Sequence, residues 1–157
     1  YYRVRAYRDA TAPYFATVES DNSATALATT TSSGPLSRVG WTATAGRWSA
    51  GAVNAIDAST TTKWDSGQKQ VAGEWWQVNM QSARTFNRVV LNQGYGAATQ
   101  FRVLVSNNAT SWTQVGTGGG TNQTVNFAAV TAQYIRIEIV QPNTSVQWVL
   151  FDFNAYA

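Results

Sequence analysis

Apolar and polar residues alternate along much of the chain in short runs. In residues 133–140, Ile135, Ile137 and Ile139 fall on one side, with Tyr134, Arg136 and Glu138 on the other. In residues 101–106, Phe101, Val103 and Val105 share a side opposite Arg102 and Leu104. A period of two marks a strand with one buried face. Further strands are predicted at 39–45, 74–80, 86–91, 112–115, 124–127 and 148–156. Turn signals separate them. Gly94-Tyr95-Gly96 interrupts two strands, and residues 106–111 read Ser-Asn-Asn-Ala-Thr-Ser, whose side chains bond nearby backbone and tolerate left-handed conformations. Helical periodicity is nearly absent. Several short strands between turn signals predict an all-β antiparallel sandwich or barrel. The longest gap, residues 46–73, reads as loop, where function tends to sit on a rigid sandwich.

The first 35 residues differ. Tyr1 to Tyr7 alternate, a second strand follows at 15–20, and residues 24–33 are almost entirely Ala, Thr and Ser, the composition of a linker. This opening resembles the last hairpin of a fibronectin type III domain. Residues 1–35 are then a hairpin and linker left from a truncated neighbour, or alternatively an N-terminal hairpin of the main domain. Residues 36–157 are the domain proper.

Composition narrows the chemistry. The 157 residues include no Cys and no His, so thiolate chemistry, a Cys/His zinc site and imidazole catalysis are excluded. Charged residues are only 12%, and Thr, Ser, Asn, Gln and Gly fill the polar positions, which suits an extracellular β-rich domain. The net charge of +3 comes from basic residues scattered singly, without the clustering of a nucleic-acid footprint. No stretch is long and apolar enough to cross a membrane, and no signal peptide is visible, so an exported chain is expected to be an internal piece of a longer protein. Seven Trp are too many for all to be fully internal.

Six blocks occur in order: Asn54-Ala55-Ile56-Asp57 with Ser59-Thr60-Thr61-Thr62-Lys63-Trp64; Glu74-Trp75-Trp76-Gln77-Val78-Asn79-Met80; Phe86-Asn87-Arg88-Val89-Val90-Leu91; Val103-Leu104-Val105-Ser106-Asn107 with Ser111-Trp112; Tyr134-Ile135-Arg136-Ile137; and Phe151-Asp152-Phe153 with Tyr156. Together they resemble the discoidin, or coagulation factor 5/8 type C, family, most of all its family 32 carbohydrate-binding modules. Ala58 stands for the usual Gly, Asn79 for Asp and Asp152 for Glu. The resemblance implies a jelly-roll type, discoidin-like β-sandwich of about eight core strands. Trp64, Trp75 or Trp76, and Trp112 lie in or beside strands and are expected in the core, with indole N–H groups needing buried acceptors.

The Asn54–Thr62 turn gathers a carboxylate, hydroxyls and carbonyls, the ligand types of a hard cation. The resemblance implies a structural calcium held by Asn54 and Ser59 through backbone oxygen, by Asp57 and Asp152 through side chains, and by Thr62; the alternative is a plain Asx-type turn at Asp57. It also implies four loops converging at one end of the sandwich, residues 46–51, 65–73, 92–99 and 141–147. Sugars stack their apolar faces on rings while polar side chains read their hydroxyls. The candidates are Arg47, Trp48, Asp65, Asn92, Gln93, Tyr95 and Trp148. Lys63 and Lys69 are placed to meet an acidic sugar, and the basic balance leans toward acidic glycans and away from chitosan, although Arg3, Arg5 and Arg8 lie in the N-terminal piece.

The expected function is a non-catalytic, monomeric module of a secreted bacterial glycoside hydrolase or polysaccharide lyase, holding an oligo- or polysaccharide. The alternative is an adhesion-type discoidin domain for a protein or membrane surface. Glycoside hydrolysis needs two facing carboxylates, and the domain offers only Asp57, Asp65, Glu74, Glu138 and Asp152.

Overall fold

A computed structural model describes residues 34–157, together with 7–8 and 18–19. The chain divides into two compact units, Tyr1–Thr31 and Ser32–Ala157. In the first, β1 (Tyr7–Arg8) pairs antiparallel with β2 (Val18–Glu19). The rest of the expected hairpin and linker, and with it the fibronectin resemblance, lies outside the described residues.

The second unit has eight described strands, β3 (Thr42–Ala45), β4 (Trp64–Lys69), β5 (Trp75–Asn92), β6 (Gln100–Ser106), β7 (Thr113–Gly118), β8 (Asn122–Gln141), β9 (Gln147–Leu150) and β10 (Asp152–Tyr156). The organising feature is the pair of long antiparallel strands β5 and β8. Their pairing breaks between Asn79 and Arg84, and each strand thereby serves two layers. Residues 75–79 pair with 134–138; β3 joins on one side and β6, then β7, on the other. Residues 84–92 pair with 122–132, and β10 completes that layer. All pairings are antiparallel, and the two layers close as a discoidin-like β-sandwich.

The core explains why these strands hold. Trp76, Val78 and Met80 are buried from one half of β5 and Phe86, Val89 and Leu91 from the other, in one core with Ile135, Ile137, Ile139 and Phe153. Trp76 meets Phe153 across the layers at 5.1 Å between ring centroids. The layers approach so closely that a Cβ on Gly116 of β7 would lie 2.6 Å from Val125 Cγ1 of β8, so only glycine fits there.

The structure changes several expectations. The strand foreseen at 148–156 is two strands, split at Phe151, whose N–H donates to Asn92 O at 2.7 Å. The foreseen loop 65–73 begins as strand β4, which pairs with β9 in a separate small sheet. The gap after residue 46 holds a 3-10 helix, Ser49–Ile56, which buries Ala52, Ala55 and Ile56. Trp64 is a core residue as expected, and of the pair Trp75-Trp76 it is Trp76 that is buried; Trp112, expected in the core, is half-buried with Trp75 on the outer sheet face, either side of the Arg136 guanidinium at 4.1 and 4.4 Å.

Candidate functional site

Buried side chains tie the loops at one end of the sandwich to the core. The Trp64 indole N–H donates to Trp48 O at 3.1 Å and Arg47 O at 3.3 Å, fixing the backbone of the first loop. Trp64 stacks edge-on against Trp148 with centroids 5.1 Å apart. The Trp148 indole donates to Gln93 Oε1 at 2.8 Å, and Gln93 Nε2 donates to Gly120 O at 2.9 Å. Gln70, also buried, donates to Gly96 O and accepts from Asn143 N, both at 2.9 Å. Trp64, Trp148, Gln93 and Gln70 thus have their buried polar groups satisfied, and these bonds reach the backbone of the surrounding loops.

Two expected ligand residues therefore belong to the floor. Trp148 and Gln93 are fully buried and cannot touch a ligand. Trp148 opens the continuous apolar run Trp148-Val149-Leu150, all three buried, the pattern of a strand covered on both faces. The Gln93 amide is already spent on Trp148 and Gly120.

Above this floor the tip is open. Trp48 is 68% exposed, with backbone at φ 45 and ψ 47. Its indole lies on Gly67, where a Cβ would come 1.7 Å from Nε1; Gly67 also holds φ +73, so glycine is required twice over. Beside the ring is a cleft of about 400 Å³ lined by Arg47, Trp48, Ser66 and Gln68. Tyr95 is 63% exposed in the short turn Gly94–Gly96 and stands edge-on to Phe151, centroids 6.3 Å apart. Its hydroxyl bonds the Lys63 ammonium, and Lys63 Nζ lies 3.3 Å from Asp65 Oδ2. The Tyr95 hydroxyl first, and Asp65 after it, hold the Lys63 ammonium above its ordinary pKa. Asp65 Oδ1 accepts from Gly67 N at 2.8 Å. Contacts therefore run unbroken across the tip from Trp48 through Gly67, Asp65 and Lys63 to Tyr95.

Of the seven expected residues, Arg47, Trp48, Asp65 and Tyr95 come together. Asn92 is half-buried at the end of β5, and its Oδ1 accepts from Gly94 N at 3.2 Å, shaping the Tyr95 turn. Sequence reasoning missed Ser66, Gly67 and Gln68, which lie in an unforeseen strand. No apolar alternation marks them, since Asp65 to Lys69 are polar or glycine; the burial of Trp64 and Ser66 on one side of β4 shows only in the structure.

The side chains expected to hold calcium make bonds within the protein. The Asp57 carboxylate is satisfied within its own turn, Oδ1 by Ser59 N at 2.8 Å and Oδ2 by the Thr62 hydroxyl at 2.7 Å. Thr62 first, then Ser59, lower the Asp57 pKa. Asn54 donates its amide to Lys63 O at 2.9 Å. Asp152, expected to close the site, is engaged on both oxygens: Arg38 Nη1 reaches Oδ1 and Asn154 Nδ2 reaches Oδ2, each at 2.6 Å. Arg38 also donates to Phe153 O at 2.9 Å. A guanidinium thus already supplies positive charge at the carboxylate. Ala58, standing for glycine, takes φ 68, the left-handed conformation the turn demands.

The F5/8 type C domain model matches residues 28–152. The chain belongs to this family. Among solved structures, this F5/8 type C domain is similar to chitosan-binding module 1 of a chitosanase/glucanase from Paenibacillus sp. IK-5. Identity is 37% and the TM-score 0.67, over 74% of this chain and 94% of that one. Chitosan-binding module 2 of the same enzyme, solved with chitotriose, is 27% identical with a TM-score of 0.67, over 73% of this chain and 95% of that one. The family 32 module of C. perfringens NanJ, solved with galactose, shares the fold at 22% identity and a TM-score of 0.64, over 74% and 93%. A comparison with curated protein sequences gave no match.

Proposed function

We propose that this domain is a non-catalytic carbohydrate-binding module whose site is the tip bearing Trp48 and Tyr95. The observation that carries the reading is the pair of exposed rings, 68% and 63%, held in place around a polar network. Trp48 offers a surface for the apolar face of a sugar ring, and Arg47 and Gln68 offer directional hydrogen bonds. The site is shallow, so affinity for a short oligosaccharide is modest. Its solved relatives are carbohydrate-binding modules, and the more similar ones come from a chitosanase/glucanase. That supports a place beside the catalytic domain of a secreted polysaccharide-active enzyme, where the module raises the effective concentration of enzyme at its substrate. Among the described residues no helix is long and apolar enough to cross a membrane.

The domain's own carboxylates have other tasks. Asp57 closes its turn, Asp65 pairs with Lys63, Glu138 with Arg102 and Asp152 with Arg38, and Glu74 is buried. A glycan array followed by calorimetric titration tests the reading. Trp48→Ala and Tyr95→Ala each weaken binding to the best glycan while leaving the melting temperature near that of the wild type. Undiminished affinity in both variants removes the tip as the site.

A further inference from the structure

The charges at the tip are unequally available. Arg47 supplies the only charged side chain lining the cleft beside Trp48. Among the described contacts its guanidinium makes one long bond, Nη1 to Lys69 O at 3.3 Å. Lys69 itself is exposed at the end of β4, the strand that carries Ser66 and Gln68. The nearby carboxylates are not on offer. Asp65 spends one oxygen on Gly67 N and the other on Lys63. Glu74 is buried, and that burial pushes its carboxyl above the usual glutamate range, which weakens its anionic form.

A planar guanidinium next to an open indole is suited to one sugar chemistry. The ring stacks on the apolar face of a pyranose, while the fork of N–H donors matches a carboxylate at its edge. A glucosamine polymer carries ammonium groups, which these free cationic side chains repel. We propose that the cleft beside Trp48 takes a sugar residue bearing a carboxylate, a uronate, with Arg47 as its counter-charge. This rests on the carbohydrate reading above. It also separates the domain from its 37%-identical relative, which is described as chitosan-binding.

The test titrates the whole chain with uronate oligomers of galacturonate, glucuronate and mannuronate type. Each is compared with its carboxyl-reduced neutral counterpart, a sulfated galactan and a chitosan oligomer. The best uronate binds about tenfold more tightly than its reduced form, the size of one charge-assisted pair, and added salt narrows the gap. Arg47→Met closes the gap, because it weakens uronate binding more than it weakens binding of the reduced, neutral form. Arg84→Met removes the same charge from the exposed bend of β5 between its two layers and leaves the gap intact. Equal affinity for the reduced forms, tightest binding to chitosan, or an equal effect of the two variants overturns the uronate assignment while sparing the carbohydrate reading. Sulfated galactan binding as tightly as the best uronate overturns the carboxylate fork. Failure of every glycan to bind overturns both readings.

Discussion

Two regions of this domain combine tryptophan with arginine, to opposite ends. On the outer sheet face, Arg136 lies between Trp75 and Trp112, and its Nε and Nη2 both bond Gln77 Oε1, at 3.1 and 2.8 Å. Each ring there has given a face to the guanidinium, and the guanidinium has given its hydrogens to an amide. At the tip, Trp48 rests on a glycine and Arg47 makes one long bond to a carbonyl. The same residue types form a closed cluster in one place and an open one in the other. Availability to a ligand is decided by whether the groups already satisfy each other, and residue type alone does not settle it.

The largest expected effect comes from the floor under the open cluster. Trp148→Ala removes a fully buried ring and strands the Gln93 acceptor, and costs about 3–5 kcal/mol of stability, read as a large drop in melting temperature. A variant that melts near the wild type would mean the tip is not braced through Trp148. The direct contrast is Trp48→Ala against Trp112→Ala. Trp48→Ala loses about 2 kcal/mol of sugar binding, roughly thirtyfold in affinity, with little change in stability. Trp112→Ala leaves affinity unchanged and costs about 1 kcal/mol of stability by undoing one side of the Arg136 stack. Reversal of the two outcomes would put the sugar on the sheet face and break the comparison.

The fold was readable wherever a two-residue period met a one-sided core, as at Ile135, Ile137 and Ile139. The adjacent pair Trp75-Trp76 announced one ring inside and one outside, because neighbouring side chains on a strand point opposite ways. The sharing of β5 and β8 between two layers was hidden, since alternation resumes after the break in register. Strand β4 was hidden because Asp65 to Lys69 are polar or glycine; backbone pairing with β9 makes it a strand, and propensity does not. At the tip, the Gly-flanked setting of Tyr95 and the unpatterned loop around Trp48 did signal exposure. Trp148 looked similar at the start of a strand, and only the apolar run after it marked it as buried. Arg38 and Asp152 are 114 residues apart, and no local pattern links them.

That last pair is a closed cluster where the resemblance led us to expect an ion. Arg38 and Asp152 have side chains only 17% and 20% exposed, so Arg38→Met leaves a poorly solvated carboxylate and costs about 1–2 kcal/mol. With the guanidinium in place, neither a chelator nor added calcium shifts the melting temperature of the wild type. A calcium-dependent rise in the wild type would show that the carboxylate exchanges Arg38 for the ion. The corner would then count as open.

The smallest effect bears on whether Arg47 is free. Glu74 is 5% exposed, and its Oε1 is buried without a hydrogen-bond partner. Burial raises its pKa above the ordinary 4.5, and the bond from the Val71 backbone first, then the charge of Arg47, oppose that only in part. A carboxyl whose folded pKa exceeds its unfolded value contributes stability that is present below the unfolded value and lost as pH rises through the folded one. The wild type therefore gives up stability across the weakly acidic range, whereas Glu74→Gln has no such titration. The variant gains in melting temperature relative to the wild type as pH rises from below that ordinary value toward neutrality. The opposite trend, a variant that loses melting temperature relative to the wild type as pH rises, would mean that ionised Glu74 and Arg47 hold each other as a pair. Arg47 would then belong to a closed cluster like that of Arg136, with no charge left for a uronate.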